Sequence, residues 1–147
     1  MSSMDESARW QLPLLAVNQM QKEVTHNEAL TLIDMLLAVR VMGTPQNDPP
    51  SAPLLGQCWL VGSAPTGDWA GRAGQLAGWT AGGWRWAIPF AGMAVRAADG
   101  RRFRYDGTVW TAPTALTPPT GGTTIDSQAR DALTAVIQAL KDHGLLA

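Results

Sequence analysis

Between Leu55 and Trp110, glycine, proline and Asp-Gly pairs recur so often that no run between them is longer than one short strand. A long helix is thereby excluded from the middle of the chain. What remains are the runs QCWLV, QLAGW, WRWAI, MAVRA and RFRY, rich in the aromatic and β-branched residues that suit a pleated surface. Their order and the tight turns between them predict an antiparallel meander.

Two of the turns constrain a register. In QLAGWTAGGWRWAI, a two-residue loop at Ala81-Gly82 sets Trp79 opposite Trp84 and Ala77 opposite Trp86, whereas a loop at Gly82-Gly83 sets Trp79 opposite Trp86. Either choice keeps Trp79, Trp84 and Trp86 on one face together with Ile88, because side chains alternate with period two. In RRFRYDGTVW the Asp106-Gly107 pair predicts a type I′ turn that pairs Tyr105 with Thr108 and Phe103 with Trp110. Phe103, Tyr105 and Trp110 then share one face. Both hairpins place a Trp five residues after an aromatic, Trp79 to Trp84 and Tyr105 to Trp110. The aromatic faces are expected to meet each other and a helix, since each large ring buries about 150–250 Å². Trp69 is different: it lies in PTGDWAGRAG, with glycines on both sides, where core packing is hard to arrange. Trp69, with Arg72 and Trp79, is therefore the candidate contact for a ligand or partner.

Helices flank this region. Residues 1–24 read as an irregular lead-in. Thr25 with Glu28 three residues later makes a capping box, so a helix is predicted from about Thr25 to Val39. Its apolar residues cover more than one stripe, which predicts a helix covered on most sides. AVRVM at its end can turn into a short strand, and GTPQNDPPSAP, with four prolines in eleven residues, reads as an extended connection. The expected fold is α+β: over residues 25–112, a buried N-terminal helix packed with a small antiparallel meander. A Pro/Gly/Thr linker at 113–123 then leads to a C-terminal helix within 124–147. That last helix is bounded by Asp126 as N-cap and Gly144 as C-terminal stop. Within it Ala129, Leu133, Val136 and Leu140 are spaced four, three and four apart with Ile137 beside them, an a/d seam of about two heptads. Docking on its own domain and self-association both account for the stripe; the long tether in front favours self-association.

Charge and chemistry exclude much. With 11 Lys and Arg against 12 Asp and Glu the net charge is −1, so there is no global case for binding nucleic acid or an acidic membrane. Arg85, Arg96, Arg101, Arg102 and Arg104 still leave one stretch locally basic, which a solvated sheet face explains; the alternative is weak contact with an anionic polymer. The single cysteine, Cys58, allows no intrachain disulfide and no Cys-rich zinc site. His26 and His143 sit in no metal-ligand pattern, and no nucleophile elbow, phosphate loop or dinucleotide fingerprint is present. Neither a cofactor, a metal nor an enzymatic activity is expected. The opening segment has acidic residues where a signal peptide needs basic ones, and its apolar run from Leu12 to Val17 is too short to cross a bilayer. Cytoplasmic assembly without membrane insertion is the expectation.

LPLLAVNQMQKEVTHNEALTLID resembles the opening of a domain family of unknown function found in prophages and gene-transfer agents, usually in tail-fibre or head-spike proteins. The resemblance continues through the TGDWAG…GGW…P..G series and ends near YDGTVW, spanning roughly residues 12 to 110. It implies a particle component assembled in the bacterial cytoplasm, a homotrimer that contacts a capsid, tail or fibre protein in host attachment or in anchoring a fibre. The alternative is a carbohydrate-binding module for host surface polysaccharide that stacks sugars on Trp69 and Trp79. The family supplies no catalytic residues.

Overall fold

The computed structural model describes residues 5–15, 22–122 and 126–146. Parts of the expected lead-in, at 1–4 and 16–21, and the junction of linker and last helix at 123–125 lie outside the described residues. Helix α1 (Lys22–Leu36) is followed by seven strands: β1 (Arg40–Val41), β2 (Cys58–Leu60), β3 (Leu76–Thr80), β4 (Gly83–Ala87), β5 (Ala94–Ala97), β6 (Arg102–Tyr105) and β7 (Trp110–Thr111). Helix α2 (Ser127–Asp142) is the last element. All strands join one mixed sheet in the order β4-β3-β2-β1-β5-β6-β7.

This corrects the expected buried helix on a small antiparallel meander. The difference comes from β1, which pairs in parallel with β2 on one side and β5 on the other and so occupies the centre of the sheet. Two residues display no period, and nothing in AVRVM marks a central strand. A parallel pair needs a long crossover. GTPQNDPPSAP supplies the first one and stays hydrogen-bonded to the sheet: Gln46 N–H donates to the Leu60 carbonyl at 3.0 Å and Gly62 N–H to the Gln46 carbonyl at 2.7 Å.

Beside β1 lie two antiparallel meanders, β2-β3-β4 and β5-β6-β7, with matching register. Cys58, Trp59 and Leu60 oppose Gly78, Ala77 and Leu76, just as Ala94, Val95 and Arg96 oppose Arg104, Phe103 and Arg102. Trp79 opposes Trp84, and Tyr105 opposes Trp110. The first hairpin thus closes on Ala81-Gly82. The second does not close on Asp106-Gly107, because the Asp106 carboxylate accepts the Thr108 and Val109 N–H groups at 2.7 and 2.8 Å and widens the loop to residues 106–109. A slip of two residues preserves parity, so Phe103, Tyr105 and Trp110 still face the same way.

The second meander is turned over relative to the first, and the two aromatic faces therefore do not meet. The front of the sheet carries Val41, Cys58, Leu60, Leu76, Val95, Phe103 and Trp110, with Met35 of α1 packed among them. The sheet curls over this front core, where Trp110 Nε1 donates to the Gly74 carbonyl at 2.8 Å. The back carries a second core of Trp59, Val61, Trp69 and Ala77, with Trp79, Trp84 and Trp86 against it.

Helix α1 is not covered on most sides: Val24, Ile33 and Leu36 are exposed, as is Leu37 just after it. Its contact with the sheet is a narrow line, with Met35 over Gly78. A Cβ at Gly78 would come within 2.3 Å of Met35 Sδ, so any side chain there would have to displace Met35. The helix starts at Lys22, which puts Thr25 and Glu28 inside it rather than in a capping box. Glu28 instead meets Arg85 on β4, which donates from Nε to Glu28 Oε2 at 2.7 Å and from Nη2 to Oε1 at 2.5 Å.

The lead-in closes the other end of α1. Arg9 donates through Nη1 to the Asp34 and Met35 carbonyls, both at 2.9 Å, and through Nη2 to the Ala38 carbonyl at 3.0 Å. The first two are last-turn carbonyls without a helical partner, at the negative end of the helix dipole, and Ala38 lies just beyond the helix end. In return the buried Asp34 carboxylate accepts Ser7 Oγ at 2.6 Å, Arg9 N–H at 3.0 Å and Trp10 N–H at 2.6 Å.

Helix α2 has the expected ends. Asp126 Oδ1 accepts the Ala129 N–H at 3.0 Å. At the other end Gly144, at φ 67°, donates to the Lys141 carbonyl while Leu145 N–H donates to the Leu140 carbonyl, a Schellman closure. A Cβ at Gly144 would lie 2.6 Å from the Gly100 carbonyl, so the tip of α2 rests on the β5–β6 turn. Among the described residues no helix is long and apolar enough to cross a membrane.

Candidate functional site

The tryptophan cluster forms because residues 62–75, between β2 and β3, fold back over the rear of the sheet. A short 3₁₀ turn, Gly67–Trp69, drives Trp69 inward. The glycines that made this segment look too open for packing permit the sharp turn instead, with Gly67 at φ 52° and Gly71 at φ 77°. Trp69 is 0% exposed, which corrects the expectation of a ring open to a ligand. Trp84 is the hub: its ring centroid lies 4.8 Å from Trp79, 5.2 Å from Trp69, 5.5 Å from Trp59 and 6.1 Å from Trp86. Most of these contacts are edge-on or tilted, the arrangement ring quadrupoles favour.

Trp69, Arg72 and Trp79 are brought together, but as parts of this packing. The Arg72 guanidinium lies 5.1 Å from the Trp86 ring centroid, a cation–π contact that shields one side of the cluster. Trp79 stays half-buried at the rim of a cleft of about 130 Å³ that it shares with Ser7, Asp34, Gln57 and Cys58. Ile88 does not join the cluster; it is exposed beyond the end of β4.

The cleft contains little reactive chemistry. Burial pushes the Cys58 thiol up to about 11, with Arg9 pulling it slightly the other way, and a thiol in that state is neither a nucleophile nor a ready metal ligand at neutral pH. Cys58 is therefore expected to resist iodoacetamide at pH 8 in the folded protein and to react once urea unfolds it, as intact-mass measurement will record. Among the described residues no group of three or more His, Cys, Asp or Glu is placed to hold a metal ion.

The Glu28–Arg85 pair is structural as well. Its hydrogen bonds to the Arg85 guanidinium hold the Glu28 carboxyl below the usual range, and burial opposes them only in part. A depressed carboxylate contributes stability above its unfolded pKa and loses it as pH falls through the folded value. Both side chains are partly exposed, so solvent screening limits the pair to about 0.5–1 kcal/mol. In thermal melts Glu28→Gln is expected to show that deficit at pH 7 and to converge with the wild type in acid.

Helix α2 presents the other predicted site. Ala129, Leu133 and Val136 are exposed, Ile137 and Leu140 are half-buried, and no residue of the helix is buried. Leu133 is 48% and Val136 55% exposed, so among the described residues this part of the stripe is left open. Arg130 ties the first turn of the helix to the tether, donating to the Pro119 carbonyl at 2.8 Å.

The family described as "Protein of unknown function (DUF2793)" matches residues 26–111. The chain belongs to that family. The DUF2793 match runs from α1 to β7 and takes in both cores, leaving the tether and α2 outside it. No curated protein matches the chain.

Proposed function

We propose that this DUF2793 protein is a structural component of a phage or gene-transfer-agent particle, the base or adaptor of a spike or fibre. It assembles as a homotrimer through α2 and holds the sheet domain against a capsid, tail or fibre partner. The observation that carries this reading is the partly open apolar stripe of α2, capped at both ends and seated on the β5–β6 turn. A stable amphipathic helix with no fully buried residue is completed by copies of itself. The resemblance of QKEVTHNEAL and the TGDWAG series to particle proteins supports the particle assignment. The burial of Trp69 removes the ring on which a sugar-stacking alternative relied.

Native mass measurement on the full chain tests the proposal. Three copies are expected for the wild type, whereas Leu133→Asp with Leu140→Asp should give a monomer whose near-ultraviolet tryptophan signal is unchanged. A wild-type monomer, or a trimer indifferent to both changes, refutes assembly through α2. Failure of the chain to co-purify with particles refutes the particle role.

A further inference from the structure

The back of the sheet is only half covered. Behind β2, β3 and β4 lies the tryptophan cluster; behind β1, β5 and β6 lies a row of arginines. Arg40 and Arg96 are direct partners across β1 and β5, and Arg96 and Arg102 are direct partners across β5 and β6. Arg104 follows Arg102 by two residues, on the same face. All four are exposed. The ion pairs among the described residues, Glu28 with Arg85 and Asp99 with Arg101, involve none of them.

Such a row is costly to the fold, because like charges placed directly opposite each other destabilise a sheet. General basicity does not explain it either, since the chain carries a net charge of −1. The matching register of the two meanders makes the contrast sharper. Arg96, Arg102 and Arg104 stand where the first meander has Leu60, Leu76 and Gly78. One half of the sheet offers an apolar seat for α1; the equivalent surface of the other half is cationic and is met at one end by the tip of α2, where Arg96 Nη2 donates to the His143 carbonyl at 3.5 Å. Arg40, Arg96 and Arg102 line a trough of about 570 Å³ whose other walls include Ala94 and Ala98.

We propose that this row binds an acidic polysaccharide, an extended chain whose successive carboxylates are taken by successive guanidinium groups. Guanidinium offers two parallel N–H donors to a carboxylate, and small alanines leave room for a chain to lie in the trough. Other polyanions fit less well. β1, β5 and β6 are each paired on both sides, so an acidic peptide finds no free edge to extend, and Ala94 and Ala98 give a protein partner no large apolar anchor. The row has no aromatic ring on which the bases of a single-stranded nucleic acid would stack. The inference does not depend on self-association of α2.

Titration calorimetry of the full chain with polygalacturonate, dextran, polyglutamate and a DNA duplex tests it. Polygalacturonate is expected to bind, more weakly as salt rises, and neutral dextran is not. Arg40→Gln with Arg102→Gln should weaken polygalacturonate binding about tenfold or more. Arg101→Gln, whose guanidinium is engaged by Asp99, should leave it unchanged. Arg104→Glu reads the same loss from the end of the row should the double variant not fold. Equal binding of dextran, indifference to these row substitutions, or tighter binding of polyglutamate or the duplex at equal salt would each overturn the proposal.

Discussion

Trp69→Ala is expected to destabilise the domain by about 3–5 kcal/mol, the cost of deleting a large buried aromatic from a packed core. Its ring is fully buried and packs against those of Trp59, at 6.4 Å, and Trp84, at 5.2 Å. Removing it leaves a void that the neighbouring rings cannot fill, because each is held by the sheet on its other side. The ring is also the buried residue of the 3₁₀ turn, so the segment over the back of the sheet loses its anchor. Trp69→Phe should cost much less, since Trp69 Nε1 makes no hydrogen bond among the described residues and only volume is lost. Urea unfolding followed by circular dichroism reads both variants, with a lower midpoint and an unchanged slope expected. A loss under about 1 kcal/mol for Trp69→Ala would contradict a ring in the core.

The sequence was most informative where a turn is short and local. Ala81-Gly82 sets the first hairpin, and parity alone puts Trp79, Trp84 and Trp86 on one face, as found. The recurrence of a Trp five residues after an aromatic marks equivalent cross-strand pairs in the two meanders. Both ends of α2 were legible for the same reason, because a cap involves only a few neighbouring residues. What stayed hidden depends on distant partners. β1 is defined by pairing with Cys58 and with Arg96 and Ala97, not by its own two residues. Without β1 the meander cannot be divided, its second half cannot be seen to turn over, and Arg40 cannot be aligned with Arg96. The role of Trp69 was hidden because flanking glycines suit an exposed loop and a tight inward turn equally well. The lead-in looked irregular because its order comes from α1: Arg9 and Asp34 are 25 residues apart.

That pairing supplies the second large effect. Asp34→Ala is expected to cost about 2–4 kcal/mol, because it strands three donors, the Ser7 hydroxyl and the Arg9 and Trp10 N–H groups, two of them only partly open to water. Asp34→Asn should rescue only part of this, since its amide nitrogen faces donors wherever it is placed. Arg9→Ala attacks the same segment from the opposite direction by freeing the carbonyls at and just beyond the end of α1. The two links are not independent: once either is cut, the lead-in lifts and the other has nothing left to hold. Asp34→Ala with Arg9→Ala should therefore cost less than the sum of the single changes, with a coupling of about 1–2 kcal/mol in a double-mutant cycle. Limited proteolysis should cut residues 5–15 equally fast in either single variant and in the pair. Strict additivity, or a lead-in that stays protected when Asp34 alone is lost, would mean that the guanidinium cap on α1 holds the segment without the carboxylate.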